Sequence, residues 1–210
     1  MSIDEKFDDL ADSYETAIRK KIPQYDELQK VFFNLLPFRR DDKINVLDLG
    51  LGTGETASAF LRQYISAKLV GIDASAKMIE RARLKLSDFA SRIELIQGDF
   101  RNLPPLRKFS FIYSILAVHH LSPEDKEMLF RKIWSILEPD GFFLLIDVVK
   151  GSSDRLTKRY LNLTFPFDEE DKPSSLMEHV KWLQEAGFKT IDVAWKCYKL
   201  ACLVAFKSQQ

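Results

Sequence analysis

The chain has 210 residues, 46% hydrophobic and 30% charged, which suits one folded domain with a small appendage and excludes a disordered segment. Lys plus Arg is 31 and Asp plus Glu is 31, so no field of one sign gathers polyanions, and general nucleic-acid binding is not expected. Cys197 and Cys202 are too few for a disulfide framework or a thiolate metal site, and no metal site is expected.

The first ten residues carry Asp4, Glu5, Asp8 and Asp9 without an apolar core, unlike a secretory or organellar address. No apolar run approaches the ~20 residues that span a bilayer. The expectation is a soluble, cytoplasmic protein with no membrane partner, monomeric or homodimeric.

In chain order, Ile3, Phe7, Leu10, Ala11 and Tyr14 share one face of an amphipathic helix. Tyr25, Leu28, Phe32, Leu35 and Leu36 repeat the pattern between Pro23 and Pro37. Strands are expected at 44–49, 69–73, 93–97, 109–116 and 142–148. Helices fall between them near 55–64, 76–87 and 124–137. The last helix has Ser122 as N-cap, Pro123 at its first position, and Pro139 with Gly141 to close it. This β-α-β-α order with near-continuous apolar strands predicts a parallel sheet covered by helices on both faces. A polar stretch, 151–175, contains the acidic run 168–171 and reads as a small lid. A helix at 176–186 ends at Gly187. The runs 189–195 and 200–206 are too close for a parallel crossover, so they pair antiparallel. The expected organisation is a helical cap, 1–43, on a ligand-binding body, 44–210, in one structural domain.

Chemistry concentrates where the first strand meets Gly50-Leu51-Gly52-Thr53-Gly54. Three of eight glycines fall within these five residues, where φ turns positive or a ligand approaches the backbone. The carboxyl end of this strand is the expected ligand site. A dinucleotide fingerprint needs its third glycine one position later, and that slot holds Glu55, which would repel a pyrophosphate. Asp73, ending the second strand, suits both hydroxyls of a ribose; as an alternative it caps the next helix. Asp99 can accept from an exocyclic amine while Phe100 lies beside a ring; otherwise it forms a turn. Together these residues describe a pocket for a nucleoside without phosphates.

Asp48-x-Gly50-x-Gly52-x-Gly54, Asp73, Gly98-Asp99 and Leu137-Glu138-Pro139-Asp140-Gly141 resemble the successive motifs of class I S-adenosylmethionine-dependent methyltransferases. The resemblance covers about 44–148. It implies a Rossmann-like, seven-stranded mixed α/β sheet with its last strand antiparallel. It also implies Gly50, Gly52 and Gly54 at the methionine end of S-adenosylmethionine, Asp48 toward the ammonium, Asp73 on the ribose, and Asp99 with Phe100 at the adenine. Met78 is equally an adenine neighbour or a core methionine, and Ala117 lies at the strand-four exit. Two positions depart from the family: Ser110 stands where strand four usually begins with aspartate, and Pro139-Asp140-Gly141 replaces Pro-Gly-Gly.

Residues 7–14, Ile22-Pro23-x-Tyr25 and 182–188 further resemble a subgroup bordering the carboxy-S-adenosylmethionine synthases of tRNA wobble-uridine modification. Those synthases hold the added carboxylate with an arginine. The matching position here, near Thr164, is not basic, and Arg155 and Arg159 lie upstream. Methyl transfer to a small or medium-sized acceptor is therefore the favoured reading, with S-adenosylhomocysteine as product. The alternatives are carboxy-S-adenosylmethionine synthesis or a related tRNA modification, and non-catalytic cofactor binding.

The strand-four exit, Ser114 to Leu121, lacks the Asn/Asp-Pro-Pro-aromatic motif of amine and base N-methylation and the cysteine of C5-pyrimidine chemistry. His119 or His120 can act as general base, histidine titrating near neutrality, or both simply order the loop before Ser122. Tyr14, Tyr25 and Tyr160 are candidate acceptor contacts.

Overall fold

The computed structural model describes residues 3–102 and 107–207, and its first strand, β1 (Asn45–Leu49), is buried along nearly its whole length. It pairs in parallel with β2 (Lys68–Asp73), and β2 with β3 (Ile93–Gln97), placing Asp48 opposite Gly71 and Asp73 opposite Gln97. Helices α4 (Glu55–Gln63) and α5 (Ala76–Lys85) connect them, because a parallel pair needs a crossover. Phe60, Leu61, Ile79 and Leu86 are buried with Val46, Leu47 and Leu69 of the strands. By contact, the chain divides into units spanning Met1–Asn102 and Leu103–Gln210, and these elements belong to the first.

The amphipathic face expected to run through Tyr14 as one helix is split into α1 (Ile3–Leu10) and α2 (Tyr14–Lys21). Ser13 breaks it: its N–H and hydroxyl both turn back to Leu10 O, and its carbonyl takes the N–H of Ala17. A serine that satisfies the backbone locally competes with a continuous helix. Helix α3 (Tyr25–Asn34) buries Tyr25, Leu28 and Phe32 as its spacing predicts.

In the second unit, β4 (Phe109–Ile115) runs parallel to β5 (Leu137–Val148). Strand β7 (Leu200–Phe206) is antiparallel to both β5 and β6 (Thr190–Cys197), as the short gap between the last two strands requires. Over the chain the strand order is β3-β2-β1-β4-β5-β7-β6, a seven-stranded mixed sheet. Helix α6 (Pro123–Ile136) has Ser122 as its cap, with Oγ accepting the Asp125 N–H at 3.1 Å. Helix α8 (Leu176–Ala186) carries a full capping box from Ser175 and Glu178.

Two expectations need correction. Strand β5 begins at Leu137, so Pro139-Asp140-Gly141 lies inside it. Leu137 pairs with Phe109 and Phe142 with Phe111, so the surplus residues are accommodated by Asp140 at φ 63°. The stretch 151–175 also contains a helix, α7 (Asp154–Leu161), which buries no residue and begins at the Ser153 cap. Leu156 and Tyr160 share one face of it, yet neither is buried. Among the described residues no helix is long and apolar enough to cross a membrane.

Gly187 ends α8 at φ 117°, and a Cβ there would lie 2.8 Å from the Trp134 ring. Gly187→Ala is expected to cost more than Ser122→Ala, whose lost cap is worth about 1 kcal/mol. Urea unfolding of the two variants should order them that way.

Candidate active site

The loop after β1 is wound tightly. Gly50, Gly52 and Gly54 have φ of 80°, 58° and 78°, and the N–H groups of Gly50 and Leu51 both donate to Ile72 O, at 2.9 and 3.0 Å. Asp73 completes it: Oδ2 accepts the Gly52 N–H at 2.7 Å and Oδ1 the Ser75 N–H at 3.0 Å. Burial raises the Asp73 carboxyl above the usual carboxylate range, although both N–H bonds pull the other way. The cap of α5 is Ser75, whose Oγ takes the Met78 N–H at 3.1 Å, so Asp73 is not the helix cap. A Cβ on Gly52 would meet nothing within 4 Å, leaving the loop open there. At Gly54 it would press on Leu86 and Ala82, at 3.1 and 3.3 Å. The two glycines therefore differ in purpose: Gly52 leaves open space above the loop and Gly54 makes room for the side chains of Ala82 and Leu86.

The N-terminal helices grip this loop through charged and phenolic side chains. Glu15 accepts from Thr53 Oγ1 at 2.9 Å and pairs with Lys85, while Asp8 accepts from the Ser75 hydroxyl and the Lys77 N–H. Arg19 pairs with Glu55 at the start of α4 and lies 4.9 Å over the Tyr25 ring. The Tyr25 hydroxyl donates to Glu55 at 3.3 Å. Burial first, then the charges of Asp73 and Glu55, pushes the Tyr14 phenol far above its ordinary value. Burial and Glu55 do the same to Tyr25. Both phenols are hydrogen-bond donors throughout the physiological range. Tyr14 and Tyr25 thus gather at Glu55, beside the glycine loop.

Asp48 and Met78 are buried. Asp99 takes the Arg101 N–H at 2.8 Å and the Arg101 guanidinium at 2.6 Å, and Phe100 is half-buried in the turn Phe100–Asn102.

In the second unit, β4 exits through Leu116, held at φ 56°, and Ala117, which opens the short turn Val118–His120. A non-glycine residue in the left-handed region is strained and marks a site to inspect. His119 Nδ1 lies 2.5 Å from Asp147 Oδ1, an oxygen that also accepts the Val148 N–H at 2.8 Å. Full burial works to raise the Asp147 carboxyl, but His119, the Val148 N–H and Lys126 outweigh it and hold it below the usual range. His119 Nε2 and His120 Nδ1 face Asp171 Oδ1 at 3.5 and 3.4 Å. Lys172 N–H donates to His119 O at 2.8 Å, and Lys126 Nζ holds Lys172 O and Ser174 Oγ. The segment bearing Asp171 is thereby tied to the histidine turn. Tyr160 lies elsewhere in this unit, its ring 6.0 Å from that of Tyr198 and beneath Lys196.

Sequence reasoning missed Asp147, Asp171, Glu15 and Arg19. Asp147 had a signal, being the single charge in the apolar run from Phe142 to Val149. Asp171 had none beyond its acidic run.

Residues 46–141 match the family model described as a methyltransferase domain. The carboxy-S-adenosyl-L-methionine synthase of Nautilia profundicola is 25% identical over 218 residues, covering 95% of this chain and 93% of its own. Among solved structures, the S-adenosylmethionine-dependent methyltransferase SibL superposes with a TM-score of 0.70 at 21% identity. The alignment covers 88% of this chain and 56% of SibL. DhpI, solved with S-adenosylhomocysteine, gives 0.72 at 16% identity over 98% of this chain and 95% of its own. The fold is therefore that of the class I methyltransferases. Residues 46–141 thus match a methyltransferase domain, on a fold shared with S-adenosylmethionine-dependent methyltransferases.

Lys126 provides a pH test of how the second unit is held. Burial pushes its ammonium down to about 8 from 10.5, against the pull of Asp147 and Glu178. Between those values the unfolded chain keeps a proton that the folded chain has released, so this group's contribution to stability rises with pH there. The melting temperature of the wild type relative to Lys126→Met should climb between about pH 8 and pH 10.5. A pH-independent difference would assign Lys126 no altered titration.

Proposed function

We propose that this chain transfers the methyl group of S-adenosylmethionine to a small or medium-sized acceptor, with Asp73 holding the ribose of the cofactor. The observation that carries this reading is the loop of left-handed glycines wound onto Asp73 and open above Gly52. Gly50, Gly52 and Gly54 line the methionine end, Asp48 serves the ammonium, and Met78, Asp99 and Phe100 border the adenosine. Arg101 on Asp99 must share that carboxylate with the adenine amine or release it.

Methyl transfer from a sulfonium is an in-line displacement in which the cofactor supplies the activation. The protein's work is to align nucleophile, methyl and sulfur and to exclude water. His119 and His120, at the strand-four exit, act on the acceptor by taking or weakening its proton. Tyr14 and Tyr25 offer aromatic contacts beside the glycine loop, whereas Tyr160 packs against Tyr198. Protonated phenols at Tyr14 and Tyr25 favour an acceptor with oxygen or nitrogen acceptors of its own.

A second reading, carboxy-S-adenosylmethionine synthesis, is supported by the near-complete coverage of the Nautilia enzyme. Two local features weigh against it: the Thr164 hydroxyl turns back to Tyr160 O at 2.7 Å, and Arg155 and Arg159 are exposed on α7. Mass spectrometry of the cofactor that copurifies separates the readings, because a carboxylated cofactor is heavier.

S-adenosylhomocysteine at a hundredfold over its Kd should stabilise the protein by about 2.7 kcal/mol, read as a rise in melting temperature, whereas NAD should give none. Asp73→Ala should lose most of that rise. His120→Ala should keep it while lowering turnover with an identified acceptor, and unchanged turnover removes His120 from the reaction.

A further inference from the structure

Two hydrogen-bond acceptors confront each other at the exit of β4. Asp147 Oδ1, 2.5 Å from His119 Nδ1, requires the hydrogen on that nitrogen, so the Nε2 of a neutral His119 carries a lone pair. That atom faces Asp171 Oδ1 at 3.5 Å. The Asp171 oxygen is buried and makes no hydrogen bond, whereas its partner Oδ2 accepts the Asp168 N–H at 2.9 Å. His120 Nδ1 approaches the same Oδ1 at 3.4 Å, and the three atoms lie within 4.8 Å of one another. A lone pair aimed at a carboxylate oxygen is unfavourable unless positive charge sits between them.

The distances indicate which positive charge. At 3.4–3.5 Å the contacts are longer than ordinary N–H···O bonds of 2.7–3.2 Å. They match the edge of a coordination tetrahedron, about 3.3–3.4 Å for metal–ligand bonds of ~2.0–2.1 Å. We propose that His119 Nε2, His120 Nδ1 and Asp171 Oδ1 bind one divalent transition-metal cation of the zinc type, with Asp147 as the outer carboxylate that fixes the His119 tautomer. Two imidazoles and one carboxylate suit Zn, Co, Ni, Fe or Mn and disfavour Mg and Ca. A carboxylate behind a ligating histidine is the usual support for such a ligand.

The ligands are also preorganised. His119 and His120 share one short turn, and Asp171 is fixed by Asp168 N–H, by the Lys172-to-His119 backbone bond, and by Lys126 on the following carbonyl. Three protein ligands leave a fourth position for water. On the methyl-transfer reading, and only on that reading, it takes an acceptor hydroxyl and lowers its pKa, so the acceptor is an alcohol or phenol. Metal binding itself does not depend on that reading.

The test uses the full chain, stripped with chelator and titrated with Co(II) and Zn(II). The expected result is one Co(II) per chain with visible d–d absorption of four-coordinate type, and Zn(II) bound at about micromolar Kd or tighter in competition with a chromophoric chelator. Asp171→Asn and His120→Gln should each weaken binding more than about a hundredfold, and Asp147→Asn by about 10- to 100-fold. Melting temperatures in chelator show whether each variant folds; if Asp171→Asn does not, His120→Gln carries the comparison. Absence of stoichiometric binding, or binding indifferent to both substitutions, overturns the proposal. The S-adenosylhomocysteine shift, measured on the same stripped protein, reports the cofactor reading separately.

Discussion

The carboxylate of Asp73 takes one N–H from the glycine loop and another from the start of α5, and so joins the ends of two parallel strands in the first unit. Its position at the end of β2 is set by register, Leu49 pairing with Ile72 one residue earlier. Only a loop without side chains can bend back far enough to place the Gly52 N–H on that oxygen. Three residues of positive φ in five positions cost an ordinary side chain strain at every one, and glycine none. The same carboxylate is buried, and that burial raises its pKa against the pull of both N–H bonds.

Around this point the first unit reaches the loop from α1 and α2 through charge, while α3 is held by its buried face. Asp8, Glu15 and Arg19 each reach the loop or its flanking helices, and α2 buries no residue of its own. Exposed ion pairs are individually weak, so each contact adds little stability by itself. Tyr14 and Tyr25 give these helices an apolar body with protonated hydroxyls beneath. The acidic Glu55, which argues against a pyrophosphate, here anchors Arg19 and Tyr25.

The second unit presents its chemistry at a strained exit from β4. Leu116 in the left-handed region turns the chain so that the next residues form a short turn instead of prolonging the strand. His119 then meets Asp147 from the neighbouring strand, and a carboxylate with no exposure compels a defined orientation of that ring. Lys126, Lys172 and Ser174 bind the acidic segment back onto the same turn. Several polar groups buried together must satisfy one another, which restricts this corner to very few arrangements.

Much of the fold was legible in the sequence because local signals carry it. β3, β7 and α8 span the expected residues, since apolar runs, the Ser175 cap and Gly187 are short-range features. The winding of the glycine loop was legible too, because glycine density reports backbone geometry directly. Less local features were not: Ser13 splitting the first helix, the start of β5 at Leu137, and α7 held by its cap with no buried face. The sequence alone determined a parallel sheet that continues into an antiparallel pair, and a tightly wound glycine loop at the end of its first strand. Tertiary structure alone decided that Asp147, Asp171 and the two histidines meet, and that Tyr14, Arg19 and Glu55 gather at the loop. Those residues come from segments far apart in the chain, and no periodicity encodes a contact that only folding creates.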